Sequence, residues 1–363
     1  MLIRRILLSS SVAAAALSAP YAQAQVVNIK DGGFTFTFGG QINRGIIFTD
    51  DGVESNDFFV DNDNSSTRLT ARAAYEFGDY VFGALIEYEF EFSSSNSISQ
   101  LNSDIGTSVS NERKFELFTR TPFGNFAYGQ GDAASNGIAE IDLSGTFIGN
   151  NSAVGLISGG QIFRTAAGGF SSNTVGDFFS NFDGITRIER FRYDTPKFGG
   201  GFTASVSFGE DNQNDIALRY SGKFGDIRVR SGITYAELDD TDRIAGSVSA
   251  FHDPTGINFT FASGQDDLNV AGRDDPGYYY FKLGYQKKDL LPWGSTSFAV
   301  DYYDGSDQAV NGSTSESYSI FAVQKIDKID TEVYAGFRTF DAATPTESFR
   351  DIDTIFIGAR YKF

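Results

Sequence analysis

Apolar and polar residues alternate with a period of two along most of this chain. In residues 67–77 the odd-numbered positions from Leu69 to Phe77 are apolar, whereas Arg68 and Arg72 fall on the other face. A period of two places alternate side chains on opposite faces of a β-strand. The same alternation recurs in residues 80–92, 216–224, 227–235 and 355–363. The pattern predicts an all-β fold.

The connections between the predicted strands are of two kinds. Short ones are rich in Gly, Pro and Asp, which favour tight turns, and lie at residues 78–79, 122–125, 196–200, 225–226, 253–256, 290–294 and 326–330. The others are mostly longer and richer in Asp, Asn and Ser, and lie at about residues 49–66, 93–112, 131–186, 209–214, 239–242, 264–276, 305–315 and 341–350. Short and long connections alternate along the chain. This order predicts sixteen strands, with both chain ends on the side of the short turns.

The separation of short from long connections distinguishes two all-β architectures. A soluble β-sandwich would also show alternating strands, but it has no reason to separate the two kinds of connection. A transmembrane barrel has short turns at one rim and long loops at the other, and it closes because hydrocarbon offers no hydrogen bonds to an open sheet edge. We therefore expect a transmembrane antiparallel β-barrel of sixteen strands, wide enough to enclose an aqueous lumen.

Composition narrows the range of functions. The 363 residues include 36 Phe and 17 Tyr, which suits the aromatic girdles of a barrel at the two membrane interfaces. Acidic residues outnumber basic ones by 47 to 29, and the net charge of −18 argues against a nucleic-acid partner. The absence of cysteine excludes disulfides and thiolate metal sites. The negative balance suggests a mild preference for cations, although charges far from a pore are screened.

The first 24 residues have the pattern of a secretory signal peptide. Arg4 and Arg5 form its positive end, residues 6–17 are apolar, and residues 22–24 form a small-x-small cleavage site. The alternative is an N-terminal membrane anchor, but the apolar stretch is too short to span a bilayer. We expect an exported protein whose mature part, residues 25–363, forms a single barrel domain.

Four features together resemble the general diffusion porins of the Gram-negative outer membrane. They are the signal peptide, the predicted hairpins 67–92 and 114–131, and the last strand ending in Tyr361-Lys362-Phe363. The resemblance implies a trimeric 16-stranded barrel in the bacterial outer membrane. It also implies that Phe363 serves as the barrel-assembly signal, and that the third long connection folds into the lumen and narrows it.

That third connection, about residues 131–186, is too long for an ordinary loop and is therefore a candidate functional segment. In the family its acidic residues face basic residues on the barrel wall, although this sequence lacks the Pro-Glu-Phe-Gly-Gly run of many members. The acids implied here are Asp132, Glu140 and Asp142. The bases that strand parity places on the inner face are Arg68, Arg72, Lys114, Arg190 and Arg192. Opposed charges would orient dipolar solutes and bias ion selectivity. The alternative for each base is a solvated residue or a structural ion pair.

Two other candidate sites are weaker. Asp61 and Asp63 begin an Asp-x-Asp-x-Ser sequence typical of a calcium loop, but Ser66 and Arg72 replace the required Gly and Glu, which excludes an EF-hand. Two alternatives remain for these acidic residues: they bind a structural calcium ion, or they belong to plain solvated loops. The single histidine, His252, lies beside a predicted turn, where a surface role is favoured over a Ser–His catalytic pairing. We expect no enzyme activity and no other cofactor.

Three functions remain open for such a barrel. The first is a passive water-filled channel for ions and small hydrophilic solutes. The second is a substrate-selective sugar or anion channel, which would require a run of aromatic residues or a dense Arg/Lys ladder along its lumen. The third is a calcium-dependent structural or adhesive surface barrel. The modest basic group opposed by acids favours the passive channel. The expected partners are other copies of the chain, outer-membrane lipid and lipopolysaccharide.

Overall fold

A computed structural model describes residues 27–103 and 109–363 of the chain. The predicted signal peptide lies outside these residues. The first seven strands are β1 (Val27–Asp31), β2 (Phe34–Asp50), β3 (Ser55–Asp61), β4 (Arg68–Phe77), β5 (Tyr80–Glu91), β6 (Val109–Thr121) and β7 (Gly124–Asp132). The connection that follows β7 contains two short strands, β8 (Ile162–Thr165) and β9 (Phe170–Thr174).

The remaining strands follow one another closely. They are β10 (Arg187–Asp194), β11 (Phe202–Gly209), β12 (Asn214–Phe224), β13 (Ile227–Leu238), β14 (Thr241–His252), β15 (Ile257–Asp267), β16 (Gly277–Leu291), β17 (Gly294–Ser306), β18 (Thr314–Ile326), β19 (Thr331–Thr344), β20 (Glu347–Arg350) and β21 (Ile352–Lys362). Short 3₁₀ helices cover Asp63–Ser65, Val154–Leu156, Val175–Asp177 and Asp327–Ile329. Among the described residues no helix has the length and apolar character needed to cross a bilayer.

The strands close into a barrel of sixteen positions, which confirms the predicted fold. Each barrel strand pairs antiparallel with its neighbours, and the last strand, β21, pairs with β2 from Gln41–Lys362 to Asp50–Asp353. The strands β3 and β4 both pair with β2, and together they form one position that is interrupted at residues 62–67. β1 forms an additional hairpin with β2 at the rim. Closure satisfies the backbone groups that an open edge would leave unpaired.

The two faces of the wall differ as the sequence alternation predicts. On β16, Phe281 and Leu283 are 43% and 56% exposed on the outside, whereas Lys282 between them is 1% exposed on the inside. Large apolar side chains on the other strands are exposed on the same outer face. The barrel therefore has an apolar outer surface and a polar inner wall.

The two rims also differ, but less than expected. The turns at residues 78–79, 225–226 and 253–256 lie at the predicted positions. On the opposite rim, the expected long connection at 49–66 contains the strand β3, so only residues 51–54 join β2 to β3. Residues 239–240 alone join β13 to β14. The long connections are shorter than the sequence indicated because strand pairing continues through polar residues such as Asp50 and Ser55.

The candidate pore constriction

The connection between β7 and β10, residues 133–186, lies inside the barrel and is called L3 below. Its backbone and side chains form hydrogen bonds with inward-facing residues around the wall. These include Gln161 with Thr49 of β2 (3.4 Å), Ile141 with Ser247 of β14 (3.2 Å), Asn150 with Ser319 of β18 (3.3 Å) and Ser158 with Thr354 of β21 (3.1 Å). L3 is therefore held against the inner wall by strands that are far apart in sequence.

Apolar packing fixes L3 against the same part of the wall. Phe179 of L3 packs against Tyr303 and Phe340, with ring centroids 5.3 and 5.1 Å apart. A second cluster joins Ile148 and Ile157 of L3 to wall residues of β2, β3, β18, β19 and β21. Burial of such side chains contributes about 1.5–3 kcal/mol each. L3 thus occupies the half of the lumen beside β12–β21 and β2.

Two buried ion pairs reinforce this half. Lys282 donates to Asp142 of L3 at 2.7 Å, and the two side chains are 0% and 3% exposed. Arg338 and Asp301 of the wall pair at 2.8 Å, with Tyr280 donating to the same carboxylate. Asp142 was expected to face the water path. The structure instead makes it an anchor for L3, because its charge is neutralised by Lys282 in a buried site.

The five bases expected on the inner wall do lie there, but four have carboxylate partners. Arg68 is 3.8 Å from Glu87, Arg192 is 2.8 Å from Asp194, Lys114 pairs with Asp132, and Arg190 pairs with Glu116. Arg190 is only 4% exposed and also donates to the Gly129 carbonyl at 2.7 Å. It therefore ties two strands together within the wall, and its burial differs from the expected exposed position.

Arg72 is the exception among the five. Among the described residues it forms no ion pair, and its Cζ lies 4.6 Å from the centroid of the Phe118 ring.

Sequence reasoning missed two neighbouring bases on the inner wall. Arg187 pairs with Asp132 at 3.2 Å, and Arg113 pairs with both Glu87 and Glu89 at 2.8 Å. Alternation alone would place both on the outer face, because Arg113 directly precedes Lys114 and Arg187 lies three residues before Arg190. The register of β6 shifts at Arg113, which the sequence pattern did not indicate.

Glu140, near the start of L3, lies against residues near the end of the same loop. Its carboxylate accepts a hydrogen bond from Asn181 at 3.0 Å, while the nearby Asp183 accepts from the Gly137 and Ala139 amides at 2.6 and 2.7 Å. Burial raises the pKa of Glu140, although Asn181 and the charge of Arg187 act in the opposite direction. Burial and the neighbouring Glu140 charge raise the pKa of Asp183 well above its usual range. Glu140 is thus half-buried, with Arg187 at the start of β10 within electrostatic reach.

Open space lies on the side of the lumen that L3 leaves uncovered. A cavity of about 230 Å³ is lined by residues of β4–β7 and β10, including Arg72, Phe118 and Arg192. A second cavity of about 350 Å³ lies beside it and shares Asn125, Arg192 and Asp194. Charged side chains line both cavities. The geometry therefore divides the lumen into a filled half and a charged, open half.

A model of the Gram-negative porin family matches residues 10–345 of the sequence. The chain belongs to this family. Solved structures with a similar fold include OmpT, an outer membrane protein of Vibrio cholerae (16% identity, 94% of this chain and 100% of that one, TM-score 0.61). Others are an anion-selective porin from Comamonas acidovorans (15%, 91% and 100%, 0.62) and the outer membrane channel DcaP of Acinetobacter baumannii (12%, 92% and 99%, 0.56). The sequence matches none of the curated proteins with which it was compared.

Family and fold together define this chain as a passive diffusion channel of the bacterial outer membrane. The exposed apolar outer surface of the porin faces lipid, and its polar inner wall faces the aqueous lumen.

The candidate calcium ligands of the porin lie where the wall is interrupted. Asp61 accepts hydrogen bonds from Arg44 (3.2 Å) and from the backbone amides of Phe92 (2.8 Å) and Ser93 (3.2 Å). Asp63 accepts from the Asn96 amide at 2.8 Å. In the described part of the chain, no group of three His, Cys, Asp or Glu residues is arranged to hold a metal ion. The contacts of Asp61 instead join the chain segments on both sides of the interruption.

His252 ends β14 at the rim of short turns. Its Nδ1 lies 2.8 Å from the Thr255 hydroxyl in the turn that follows. This contact is local to the turn and exposed to solvent. It has the geometry of a turn-stabilising hydrogen bond, and the functional groups of a Ser–His–carboxylate site are not assembled around it in the described residues.

Proposed function

We propose that this porin conducts ions and small hydrophilic solutes along the open half of its lumen, between L3 and the strands β4–β7, β10 and β11. The observation that carries the proposal is the position of L3. Its apolar clusters, the Lys282–Asp142 pair and most of its hydrogen bonds to the wall connect it to β2, β3 and β12–β21, while its first residues also contact Ser207 of β11. The cavities lined by charged residues lie on the opposite side.

We propose that the narrowest part of this path lies between Glu140 on L3 and the bases at the start of β10. Glu140 is half-buried and interacts electrostatically with Arg187, which together with Lys114 also contacts Asp132. Acidic and basic groups on opposite sides of a narrow aqueous passage create a transverse field. Such a field orients dipolar solutes and slows apolar ones.

Reconstitution into planar bilayers tests the proposal. We expect stepwise conductance increases and diffusion of neutral sugars up to a size limit. Glu140→Gln is expected to change the ion permeability ratio, because it removes one side of the proposed field. The matched control is Glu210→Gln on the loop between β11 and β12, which should leave the ratio unchanged. A folded barrel without conductance steps would exclude the channel, and equal effects of the two substitutions would exclude Glu140 from the constriction.

We also propose that the porin assembles as a homotrimer, in contact with outer-membrane lipid and lipopolysaccharide. One structural neighbour is a trimer form of the Vibrio cholerae protein. The outer face of β2, β18, β19 and β21 carries small residues, including Ala322, Ala335 and Ala359, around an apolar depression of about 720 Å³. Small side chains allow two barrel walls to approach closely. Chemical cross-linking in outer-membrane vesicles should give trimers, and only monomers would contradict the proposal.

Residues 1–24 are proposed to be removed during export. The proposal is supported by the charged start, the apolar stretch and the small-x-small motif of this segment. N-terminal sequencing of the porin from outer membranes should begin at Gln25. Retention of Met1 would contradict it.

A further inference from the structure

The bases on the open inner wall fall into two groups. In the first group each base has a carboxylate partner, as Arg68 has Glu87 and Lys114 has Asp132. The second group contains Arg72 and Arg120, which form no ion pair with any residue that the structure describes. The exposed Glu76 lies within electrostatic reach of Arg72 without forming an ion pair. Two neighbouring arginines are therefore left without an ion-pair partner in the part of the chain that the structure describes.

A single aromatic ring holds both arginines in place. The Cζ atoms of Arg72 and Arg120 lie 4.6 and 6.0 Å from the centroid of the Phe118 ring. This ring lies across β5 over Gly83, where a Cβ atom would overlap it. The face of an aromatic ring attracts a guanidinium group and leaves its N–H edge free for another partner. Gly83 thus makes room for the Phe118 ring, which presents the N–H edges of Arg72 and Arg120 to the lumen. These three side chains, Arg72, Phe118 and Arg120, are called the platform below.

The platform borders an existing cavity. Arg72, Phe118 and Arg120 line the space of about 230 Å³ described above, together with the amide side chain of Asn125. A water molecule occupies about 30 Å³ of liquid, so the cavity has room for a small organic molecule in place of several waters. Four arginines and three carboxylates line it, which leaves one net positive charge. This balance suits a ligand with one negative charge better than a dianion.

We propose that this cavity is a binding subsite for small monocarboxylates that pass through the porin, with Arg72 and Arg120 as the residues that determine specificity. The guanidinium group is planar and matches a carboxylate through two parallel hydrogen bonds. The subsite rests on the proposed function, because it requires a solute path along the open half of the lumen. The proposed subsite also predicts that the porin selects for anions at this cavity, despite a net charge of −18 over the whole chain.

The test is a current measurement on single channels with potassium lactate as the probe and neutral lactamide as a solute of matched size. Lactate should reduce the current saturably, whereas lactamide should reduce it only in proportion to its concentration. The double variant Arg72→Gln/Arg120→Gln should raise the half-saturating lactate concentration about tenfold or more, as expected from the loss of charge-assisted bidentate hydrogen bonds. It should also lower the anion-to-cation permeability ratio.

The matched control is Lys223→Gln/Arg228→Gln, which removes two positive charges that pair with Asp253 at the rim, at 2.7 and 2.6 Å. It should leave the lactate effect unchanged. Equal shifts in the two double variants, or a lactate effect no different from that of lactamide, would overturn the subsite while the channel still conducts. Saturation by inorganic phosphate at the same concentration as lactate would overturn the choice of monocarboxylates. A protein without conductance steps would remove the channel and the subsite together.

Discussion

The two halves of the lumen use charged residues in different ways. In the half that L3 fills, Lys282 and Arg338 are each about 1% exposed, and both pair with buried carboxylates. In the open half, Arg72 and Arg192 both line a cavity, but only Arg72 lacks an ion pair in the described part of the chain, whereas Arg192 pairs with Asp194. Both kinds of residue lie on the inner wall of the same barrel. Cover by L3 therefore makes Lys282 a structural anchor, whereas Arg190 in the open half is buried by its contacts within the wall.

The largest expected effect comes from breaking an anchor in the filled half. Lys282→Met leaves the Asp142 carboxylate buried without its partner, which costs about 3–5 kcal/mol for a buried pair. We expect L3 to detach locally, with a lower melting temperature and a larger, noisier single-channel conductance. Thermal unfolding followed by circular dichroism, together with bilayer recordings, would measure both effects.

A double variant provides the control for this anchor. Lys282→Met/Asp142→Leu removes both charges, so its loss of stability should be smaller than that of Lys282→Met alone. If the single variant keeps the conductance and melting temperature of the parent porin, the pair does not hold L3 in place.

A smaller effect is expected at the interruption of the wall, where the two halves meet. Asp61→Ala removes the acceptor of the Phe92 and Ser93 amides and should cost about 1–3 kcal/mol, because buried donors are left unpaired. The loss should be the same with and without calcium, which melting curves in calcium and in chelator would show. A loss seen only in the presence of calcium would instead support a calcium site at Asp61 and Asp63.

The contrast between the two halves of the lumen also shows which features can be predicted from the sequence and which cannot. Alternation predicts the barrel and the side of the wall on which a residue lies, because both depend on a period of two within each strand. It cannot separate Lys282 from Arg72, since both are bases in alternating strands. Their difference arises from L3, whose path inside the barrel depends on contacts between residues far apart in sequence, such as Asn150 and Ser319. For the same reason Asp142 and Glu140 look alike in sequence but have different environments.

The effect of pH on L3 should be smaller than that of the anchor substitutions. Burial raises the pKa of Glu140, so the folded protein holds this proton more tightly than the unfolded chain. The stabilisation from the protonated Glu140 carboxyl is therefore fully present below the ordinary carboxyl pKa. It is lost as the pH rises through the raised pKa of Glu140 in the folded protein. The melting temperature should fall over this range in the parent porin and fall less in Glu140→Gln. Identical pH profiles would show that Glu140 does not titrate within L3.

The smallest effect is expected for an exposed ion pair at the rim of short turns. Lys223 and Arg228 are 52% and 45% exposed, and both contact Asp253. Water and salt screen such pairs, and most exposed pairs contribute little to stability. Asp253→Asn should therefore leave the melting temperature unchanged within error, in contrast to Lys282→Met, although both break an ion pair of similar length. A loss as large as that of Lys282→Met would show that burial by L3 is not what separates the two halves.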